Sequence, residues 1–312
     1  MMSESQPVAS ATPPSKKKIL SNEEHARICQ FINSYHGLPL DCELEMVQRI
    51  FPDVEHLTLT CILQTEIFSK TRSQHWRSEQ RAKQLLQTYE DQCHLYKDNT
   101  LLIRMAVVEN MSPVALSRIV LQEKYDLRQK SQISRLLRYP HLIEDPRLAA
   151  NVQQCLCSDN QEGPITDLRR RIVGEEYELK MKQLAKAAGM HYYDEQDLRR
   201  MGYDKTPDIK MILPFLYKGA VVNWIESKAN FGDLKSHKWN IQQQLHSYCN
   251  RFGPGIIIYW FGYHEETPKL TENNIGITVL ADFPATDDLV LLHLTEPATS
   301  KYDQSVGSKN TS

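Results

Sequence analysis

The chain has 312 residues, of which 24% are charged and 41% are hydrophobic, and its formal net charge at pH 7 is −2. This length can bury a sizeable core and divide into two domains, but the near-neutral balance excludes a nucleic-acid interaction driven by overall charge, so such binding requires a local basic strip. The first residues are polar and no segment approaches the ~20 apolar residues of a membrane helix, so we expect neither a secretory signal nor a membrane partner.

The two ends of the chain are rich in small and polar residues. Residues 1–20 contain many Ser, Pro and Lys residues, and residues 295–312 have a similar composition. Segments of this kind cannot bury enough apolar surface to offset the entropy that they lose on ordering. We therefore predict disordered tails over both segments.

Residues 21–150 have the pattern of successive helices, without the alternation that is typical of strands. Ser21 and Glu24 have the spacing of a capping box, and an apolar stripe that includes Ile28 and Ile32 follows them. Prolines punctuate the remainder of the segment. We predict an all-α domain over residues 21–150 that contains helix-turn-helix-like segments.

One of these segments, Leu101–Val120, can be interpreted in two ways. Ser112 would cap its second helix, with Pro113 at the first helical position. As a DNA-binding motif, this helix would enter a major groove and present Ser117 and Arg118 to the nucleic acid. As an ordinary αα-hairpin it would pack inside a helical bundle, and such hairpins are far more common than groove-reading helices.

Residues 151–294 have the pattern of an α/β domain. The predicted elements are a helix from Gly174 to Gly189, strands over 209–213 and 220–228, a helix over 236–250 and a strand over 256–261. The first two strands are predicted to form an antiparallel hairpin with a turn over 214–219. The last strand is apolar throughout, which indicates burial on both faces.

Three charged residues of the predicted hairpin form a candidate catalytic site. Side chains alternate along a strand, so Glu226 and Lys228 share one face, and Asp208 begins the neighbouring strand. Buried charges are unfavourable unless they are paired or coordinated. Mg²⁺ is often held by one or two carboxylates and a substrate phosphate. We therefore predict that Asp208 and Glu226 bind Mg²⁺, with Mn²⁺ as an alternative, while Lys228 orients the attacking water and stabilises negative charge.

The flanking helices contribute further candidates. Glu178 can point toward the sheet as a third metal-binding carboxylate, with Glu175 and Glu176 as rivals. Gln244 lies in the apolar stripe of the second helix, where a buried amide needs a metal-bound water, a carboxylate or a phosphate as its partner. Basic residues that we predict to contact nucleic acid are Lys235, Lys238 and Arg118, whereas His237 and His246 are predicted to be surface residues.

Two short motifs resemble the signature of a nuclease superfamily. Pro207-Asp208 followed by Glu226-Ser227-Lys228 is similar to the PD-(D/E)xK motif of restriction-type nucleases and archaeal Holliday-junction resolvases. Gly174 with Glu178, and Gln244 with Tyr248, resemble helix motifs of the same superfamily. The resemblance implies a restriction-endonuclease-like αβββαβ core, a mixed sheet flanked by helices, Glu178 and Gln244 as site residues, and Tyr248 as a nucleic-acid contact.

A closer resemblance is carried by three longer segments, Gly202–Asp208, Trp224–Ala229 and Asn250–Gly255. They are similar to the family of codanin-interacting nucleases. This resemblance implies a helix-turn-helix-bearing first half and a nuclease-like second half. It also implies a codanin-type scaffold as partner, presence in nucleus and cytoplasm, and a role in a chromatin-related or erythroid-differentiation pathway.

Three functions are compatible with these features. The first is a Mg²⁺-dependent nuclease with Asp208, Glu226, Lys228, Glu178 and Gln244 at its site, acting on DNA rather than RNA. The second is a non-catalytic adaptor that keeps the nuclease fold and binds a codanin-type scaffold. The third is a helix-turn-helix DNA-binding protein.

Overall fold

The computed structural model describes residues 16–73, 79–95, 99–271 and 276–292. The predicted C-terminal tail and residues 1–15 of the predicted N-terminal tail lie outside these ranges. Helices dominate the first half, as the sequence predicted, and a π-helical turn over Met46–Ile50 follows the second of them. Their bounds are α1 (Asn22–Ser34), α2 (Pro39–Glu45), α3 (His56–Ser73), α4 (Glu79–Cys93), α5 (Leu101–Val108), α6 (Pro113–Lys124), α7 (Lys130–Arg138) and α8 (Pro146–Ser158).

The predicted starts of α1 and α6 are confirmed by their caps. The Ser21 hydroxyl accepts a hydrogen bond from the Glu24 N–H, and the Glu24 carboxylate accepts one from the Ser21 N–H at 3.0 Å. Ser112 caps α6 by accepting the Ala115 N–H at 3.1 Å. Each cap satisfies backbone N–H groups that the first turn of a helix leaves without partners.

The first half of the chain contains two separate cores. Side chains of α1 to α3 pack around Ile28, Leu59 and Leu63, together with Phe231 from the second half. Helices α4 to α8 enclose a different core, which includes Leu102. The helices before residue 74 therefore pack as a layer of their own, distinct from the α4–α8 bundle.

The helical bundle extends further than residue 150, the predicted domain boundary. Asp145 caps α8 by accepting the Leu148 N–H at 3.1 Å, and Pro146 occupies the first helical turn. Leu148 and Val152 are buried in the core of the bundle. The Asp145-Pro146 pair therefore starts a helix, because proline is favoured in the first turn. The bundle ends with α8 at Ser158.

Helix α6 lies in the middle of the bundle, and this contradicts the groove-reading interpretation. Ser117 is fully buried and its hydroxyl donates a hydrogen bond to the Pro113 carbonyl oxygen at 2.9 Å. Leu116, Val120 and Leu121 are also buried. A helix that is covered on this face cannot present Ser117 to a major groove. The pair α5–α6 is instead a helical hairpin of the bundle.

The second half is an α/β domain with a mixed sheet flanked by helices, as predicted. The strands are ordered β2-β3-β4-β5-β7, and β8 pairs with β3. The pairs β2–β3, β3–β4 and β3–β8 are antiparallel, while β4–β5 and β5–β7 are parallel. The bounds are α9 (Pro164–Ala187), β2 (Tyr192–Asp194), α10 (Glu195–Arg200), β3 (Ile209–Tyr217), β4 (Ala220–Lys228), α11 (Leu234–Asn240), α12 (His246–Phe252), β5 (Gly255–Tyr259), β6 (Tyr263–His264), β7 (Ile277–Leu280) and β8 (Leu289–Leu291).

Helices cover both faces of this sheet. Met181 and Ala185 of α9 pack against Ile225 and Ile258 on one face. On the other face, the side chains of α12 and of the π-helical turn that joins it to α11 pack against Trp224. None of the described helices is long and apolar enough to span a membrane.

Helix α9 starts ten residues earlier than predicted. Pro164 lies in its first turn, and Gly174 is inside the helix rather than at its start. The predicted stop is correct, because Gly189 follows the helix with φ +76°, a conformation that favours glycine.

The hairpin turn is shorter than the predicted segment 214–219. Strand β3 continues through Pro214, where its pairing with β4 shifts register between Lys210 and Phe215. A proline is tolerated at such an irregularity because no ladder hydrogen bond is needed from it. The turn itself consists of Lys218 and Gly219, both with positive φ, as two-residue hairpins require.

The end of the predicted N-terminal tail is part of the fold. Strand β1 (Ile19–Leu20) pairs in parallel with β6, and Leu20 is fully buried. Nearby, the Thr58 hydroxyl of α3 donates to the Phe261 carbonyl oxygen at 2.6 Å. Gly262 has φ +85°, and a Cβ atom there would lie 1.9 Å from the Lys18 carbonyl oxygen. The two halves of the chain are therefore joined by a close backbone contact.

Candidate active site

Asp208 and Glu226 meet at one end of the β3–β4 hairpin. Asp208 immediately precedes β3, and the pairing of Ile209 with Ile225 brings it beside the end of β4. The Ser227 N–H donates to Asp208 Oδ2 at 2.7 Å, and the Asp208 N–H donates to Glu226 Oε2 at 3.3 Å. The backbone beside Glu226 thus holds the Asp208 carboxylate, and the backbone of Asp208 holds the Glu226 carboxylate. These two hydrogen bonds fix the carboxylates side by side.

Lys228 completes this group. Its Nζ donates to Glu226 Oε1 at 2.7 Å and to Gln244 Oε1 at 3.0 Å. The Glu226 side chain is 4% exposed and the Lys228 side chain 21% exposed, so Lys228 is the member of this ion pair that reaches solvent. Gln244, in the π-helical turn Ile241–Leu245, acts on the site by holding the lysine.

The electrostatics of the site are dominated by burial and by the two adjacent carboxylates. Burial and then the charge of Glu226 raise the pKa of Asp208 well above its usual range. Burial also raises the pKa of Glu226, and this outweighs the opposite effect of Lys228. Burial lowers the pKa of Lys228, but Glu226 and Asp208 more than compensate and the net change is upward. The lysine stays charged, while the carboxylates lack sufficient positive charge around them.

Glu178 is near the site but is engaged elsewhere. Its Oε1 accepts a hydrogen bond from Lys182 Nζ at 2.7 Å, and its charge is one of the smaller contributions that raise the pKa of Asp208. Within the described ranges, no group of three or more His, Cys, Asp or Glu residues is arranged to hold a metal ion. The predicted ligand set of Asp208, Glu226 and Glu178 is therefore not assembled. The rivals Glu175 and Glu176 are exposed on α9.

The two remaining carboxylates still fit a hard divalent cation. Asp208 and Glu226 offer oxygen ligands, which Mg²⁺ and Mn²⁺ prefer. The two buried carboxylates share one lysine, and burial raises the pKa of both, so a bound cation would stabilise their charged forms.

Lys182 is a residue beside the site that the sequence interpretation missed. It projects from α9, its side chain is 25% exposed, and it forms an ion pair with Glu178. Burial lowers its pKa, but Glu178, Asp194 and Asp208 outweigh that effect, so the net shift is upward. The available signal was its spacing of four residues from Glu178, which places both side chains on one helical face.

Tyr248 does not have the predicted role. It is 2% exposed, and its hydroxyl donates to the Thr206 carbonyl oxygen at 2.7 Å. A side chain in this position cannot contact nucleic acid, so that prediction is wrong. Tyr248 instead anchors the segment that leads into Asp208.

His237 is also placed differently from the prediction of a surface residue. It is fully buried, and its Nδ1 lies 2.8 Å from the Tyr259 hydroxyl. Burial lowers its pKa to about 4. His246 is exposed, as predicted.

The residues predicted to contact nucleic acid lie in two places. Lys235 and Lys238 are exposed on α11, which follows the β4 strand of the site. Arg118 projects from α6 in the helical bundle and lines a concavity with α7 and α9. None of the residues Asp208, Glu226 and Lys228 lines that concavity.

The residue between Glu226 and Lys228 is fixed from the other face of the sheet. The buried Trp260 indole Nε1 donates to the Ser227 hydroxyl at 2.8 Å. Lys180 of α9 lies over the same indole ring, with its Nζ 4.7 Å from the ring centroid. Trp260 and α9 therefore hold the end of β4 from one face of the sheet, while Glu226 and Lys228 project from the opposite face.

The fold and site define an α/β protein with two paired carboxylates and a lysine at one end of a mixed sheet. Residues 144–283 match a family described as a protein of unknown function with the TPD sequence motif. The tripeptide Thr206-Pro207-Asp208 spells that motif and includes the first carboxylate of the site.

Relatives that cover most of the chain carry a more informative name. The protein named CDAN1-interacting nuclease 1 of Xenopus laevis is 33% identical over 293 residues, which are 91% of this chain and 94% of the relative. The Homo sapiens protein of the same name is 32% identical over 88% of this chain and 99% of its own length. The Danio rerio protein is 39% identical over 64% of this chain and 67% of its own length. The chain belongs to this family, which confirms the predicted resemblance. No solved structure matches the chain.

Proposed function

We propose that this chain is a metal-dependent nuclease that hydrolyses phosphodiester bonds, with Asp208 and Glu226 as ligands of Mg²⁺ or Mn²⁺. The observation that carries the proposal is the pair of hydrogen bonds that hold the two buried carboxylates side by side next to a charged lysine. The names of the relatives support it, since they are called nucleases.

The order of the elements supports assignment to the PD-(D/E)xK type. Helix α9 is followed by β2, β3 and β4, then by α11 and α12, and then by β5, with only the short α10 inserted between β2 and β3. This is the αβββαβ order of that superfamily. The charged residues occupy the ends of its second and third strands.

Each residue of the site has a separate role in the proposed hydrolysis. Asp208 and Glu226 would hold the divalent cation, which would supply Lewis acidity at the scissile phosphate. Lys228 keeps its proton, because its pKa is raised, and its ammonium group stabilises the negative charge that develops on the phosphate in the transition state. Gln244 holds Lys228 in place through its amide oxygen.

We also propose the biological setting of this activity. The relatives are named for an interaction with CDAN1, which supports a codanin-type scaffold as a partner of this chain. The nucleic acid is proposed to be DNA rather than RNA, with Lys235 and Lys238 available for backbone phosphates. The protein is expected in both nucleus and cytoplasm, and a role in a chromatin-related or erythroid-differentiation pathway follows from the partner.

The test is a cleavage assay with the purified full-length chain. Single-stranded, duplex and branched DNA and RNA are incubated with Mg²⁺, with Mn²⁺ and with a chelator. Cleavage should require the metal and should fall by about 10²-fold or more in Asp208→Asn and in Lys228→Ala. Asp287→Asn, which changes an exposed carboxylate in the 3₁₀ turn before β8, is the matched control and should cleave like the parent.

One observation favours a second function, a non-catalytic adaptor. Lys228 and Glu226 already satisfy each other as a buried ion pair, as a purely structural pair would. If every substrate survives with both metals while the chain still binds a codanin-type scaffold, the nuclease proposal fails and the adaptor function stands. Under that alternative, Asp208→Asn should bind the scaffold with unchanged affinity.

A further inference from the structure

A basic concavity lies between α6, α7 and the start of α9, away from the carboxylates. Its volume is about 640 Å³. Three arginines line it, one from each helix: Arg118, Arg138 and Arg171. The Ser134 side chain also lines the concavity, and Asp167 is the only carboxylate among the described lining residues.

The positive charge of this concavity is only partly neutralised. Asp167 pairs with Arg170 at 3.3 Å, and Arg171 lies 3.4 Å from the exposed Glu175. In the part of the chain that the structure describes, no carboxylate lies within salt-bridge distance of Arg118 or Arg138. The N-terminal end of α9 adds partial positive charge, since Gly163 precedes the helix and provides no side-chain cap.

Helix α9 connects the concavity to the catalytic site. Arg171 and Glu178 are seven residues apart, so they project from the same side of the helix, about 10 Å apart along its axis. Pro164, at the far end of the concavity, is about 21 Å from Glu178 by the same rise of 1.5 Å per residue. Met181 of the same helix packs in one core with Ile225, the residue before Glu226. Arg171 and Glu178 therefore lie on one face of α9, which leads from the concavity toward the end of β4 that carries Glu226.

The chemistry of the lining residues selects the ligand. Guanidinium groups bind phosphate oxygens through paired, planar hydrogen bonds, and a cluster of them is typical of phosphate recognition. Successive phosphates of one strand of B-form DNA are about 3.4 Å apart along the helix axis. The separation of about 10 to 21 Å therefore corresponds to roughly three to six nucleotides.

We propose that this concavity binds backbone phosphates of the nucleic-acid substrate, about three to six nucleotides from the scissile bond. The identity of the ligand rests on the proposed nuclease function. The connection along α9 to the end of β4 that carries Glu226 favours nucleic acid over an acidic protein segment. Arg118, which the groove-reading interpretation placed in a major groove, here contacts the phosphate backbone from one side of the concavity.

The proposal is tested by binding rather than by cleavage. Full-length Asp208→Asn protein in chelator is titrated into labelled duplex DNA of about 20 base pairs, and the affinity is measured by fluorescence anisotropy over a range of salt concentrations. Adding Arg118→Ala and Arg138→Ala should weaken binding at least about tenfold. It should also reduce the slope of log affinity against log salt by about 2, since each lost phosphate contact contributes about 0.9.

The matched control removes the same two charges elsewhere. Arg49 and Arg128 are exposed and form ion pairs with Glu45 and Asp126, and neither lines the concavity. Changing both to alanine should leave the salt slope close to that of the parent. Arg49, Arg128 and Arg138 are exposed and Arg118 is half-buried, so circular dichroism should show that every variant is fully folded at the temperature of the binding assay.

A second measurement tests the position of the subsite. Neutralising single phosphates by methylphosphonate substitution should weaken binding at positions about three to six nucleotides from the bond that the parent protein cleaves, and the Arg118/Arg138 change should remove that sensitivity. Equal sensitivity at those positions in the two proteins would overturn the proposal, and so would a loss of affinity no larger than that of the control. Unchanged DNA binding with lost binding of the codanin-type scaffold would assign the concavity to a protein segment instead.

The two proposals fail in different ways. Absence of cleavage by the parent protein would refute the nuclease function and leave the binding result to stand by itself. Unchanged DNA binding by the double variant, together with intact cleavage by the parent, would refute the subsite alone.

Discussion

Asp208 and Glu226 place two negative charges side by side where little water can screen them. Asp208→Asn removes one of these charges and keeps an oxygen that can accept the Ser227 N–H bond. We expect the variant to be more stable than the parent in the presence of a chelator, by about 2–4 °C in melting temperature. Thermal unfolding followed by circular dichroism measures this difference.

The same variant should lose the stabilisation that a metal provides. A ligand that binds only the folded state raises its melting temperature, so excess Mg²⁺ should stabilise the parent and should have little effect on Asp208→Asn. The control Asp287→Asn should respond to Mg²⁺ like the parent. An equal response of all three proteins would show that Asp208 does not bind the ion.

His237 predicts a specific loss of stability in acid. Its pKa is lowered to about 4 in the folded protein, whereas an unfolded histidine titrates near 6.5. The unfolded state therefore takes up a proton first, and the free energy of unfolding falls as the pH drops from about 6.5 to 4, by up to roughly 3 kcal/mol. Denaturant titrations at several pH values measure this slope.

A comparison of two histidines on neighbouring helices isolates the effect. His237→Gln should flatten the pH dependence between 6.5 and 4, although it lowers stability at neutral pH by disturbing the bond with Tyr259. His246→Gln, at an exposed position, should retain the full slope of the parent. An unchanged slope in His237→Gln would contradict the assignment of the acid sensitivity to this residue.

Tyr248 and Arg251 of α12 donate hydrogen bonds to the segment that leads into β3. Tyr248→Phe removes the bond to the Thr206 carbonyl oxygen, which precedes Asp208 by two residues. We expect a loss of about 1 kcal/mol in the free energy of unfolding. Cleavage should fall more strongly in kcat than in KM, because the carboxylate is less well positioned.

Tyr203→Phe is the control for this change. Tyr203 is 40% exposed and contacts the neighbouring Phe252 through its ring. Its hydroxyl can be removed with little effect on stability or on kcat. Equal effects of the two substitutions would rule out a positioning role for Tyr248.

The elements of the site could be predicted where a local pattern specifies them. Alternation along β4 placed Glu226 and Lys228 together, and the Ser21 and Ser112 caps marked two helix starts. The inward position of Tyr248 was missed because its predicted role was taken from the resemblance to a helix motif and not from the apolar stripe that contains it. Burial of the tyrosine depends on Trp224 across the sheet, which no local pattern specifies.

The π-helical turn Ile241–Leu245 could not be predicted from the sequence either. It inserts an extra residue into the turn that carries Gln244, and such insertions occur frequently at functional sites. Periodicity predicts one continuous helix over this stretch, since a single added residue hardly changes an apolar stripe. The register shift in β3 was hidden for the same reason, because strand propensity continues through it.

At the scale of the whole molecule, the sequence predicted two domains and missed how closely they are joined. Compositional change marks where helices give way to strands, but it does not encode contacts between distant segments. Strand β1 is only two residues long, too short for its pattern to stand out, and it belongs to the second half through β6. Phe231, similarly, completes the core of the first three helices.

Two glycines provide a matched test of this junction. Gly262→Ala would place a Cβ 1.9 Å from the Lys18 carbonyl oxygen at a positive φ, so it should displace β1 and lower the melting temperature. Gly174→Ala lies inside α9 with open space around it and should stabilise the protein by about 0.5–1 kcal/mol.

Trypsin provides the second readout. Lys17 and Lys18 flank the displaced strand, so cleavage there should become faster in Gly262→Ala and stay slow in Gly174→Ala. If the first variant is as stable and as resistant as the parent, β1 contributes little to the fold.

The pairing of the two ends has a consequence for how the protein is made. The Thr58 hydroxyl and its acceptor at Phe261 are 203 positions apart, and the bond from the Asn22 N–H to Glu265 spans 243. At a synthesis rate of about 5–20 residues per second, the N-terminal helices leave the ribosome roughly 10–40 s before these partners exist. During that interval the apolar surface around Leu20 and Leu59 is exposed, and we expect a chaperone to bind it until translation is finished.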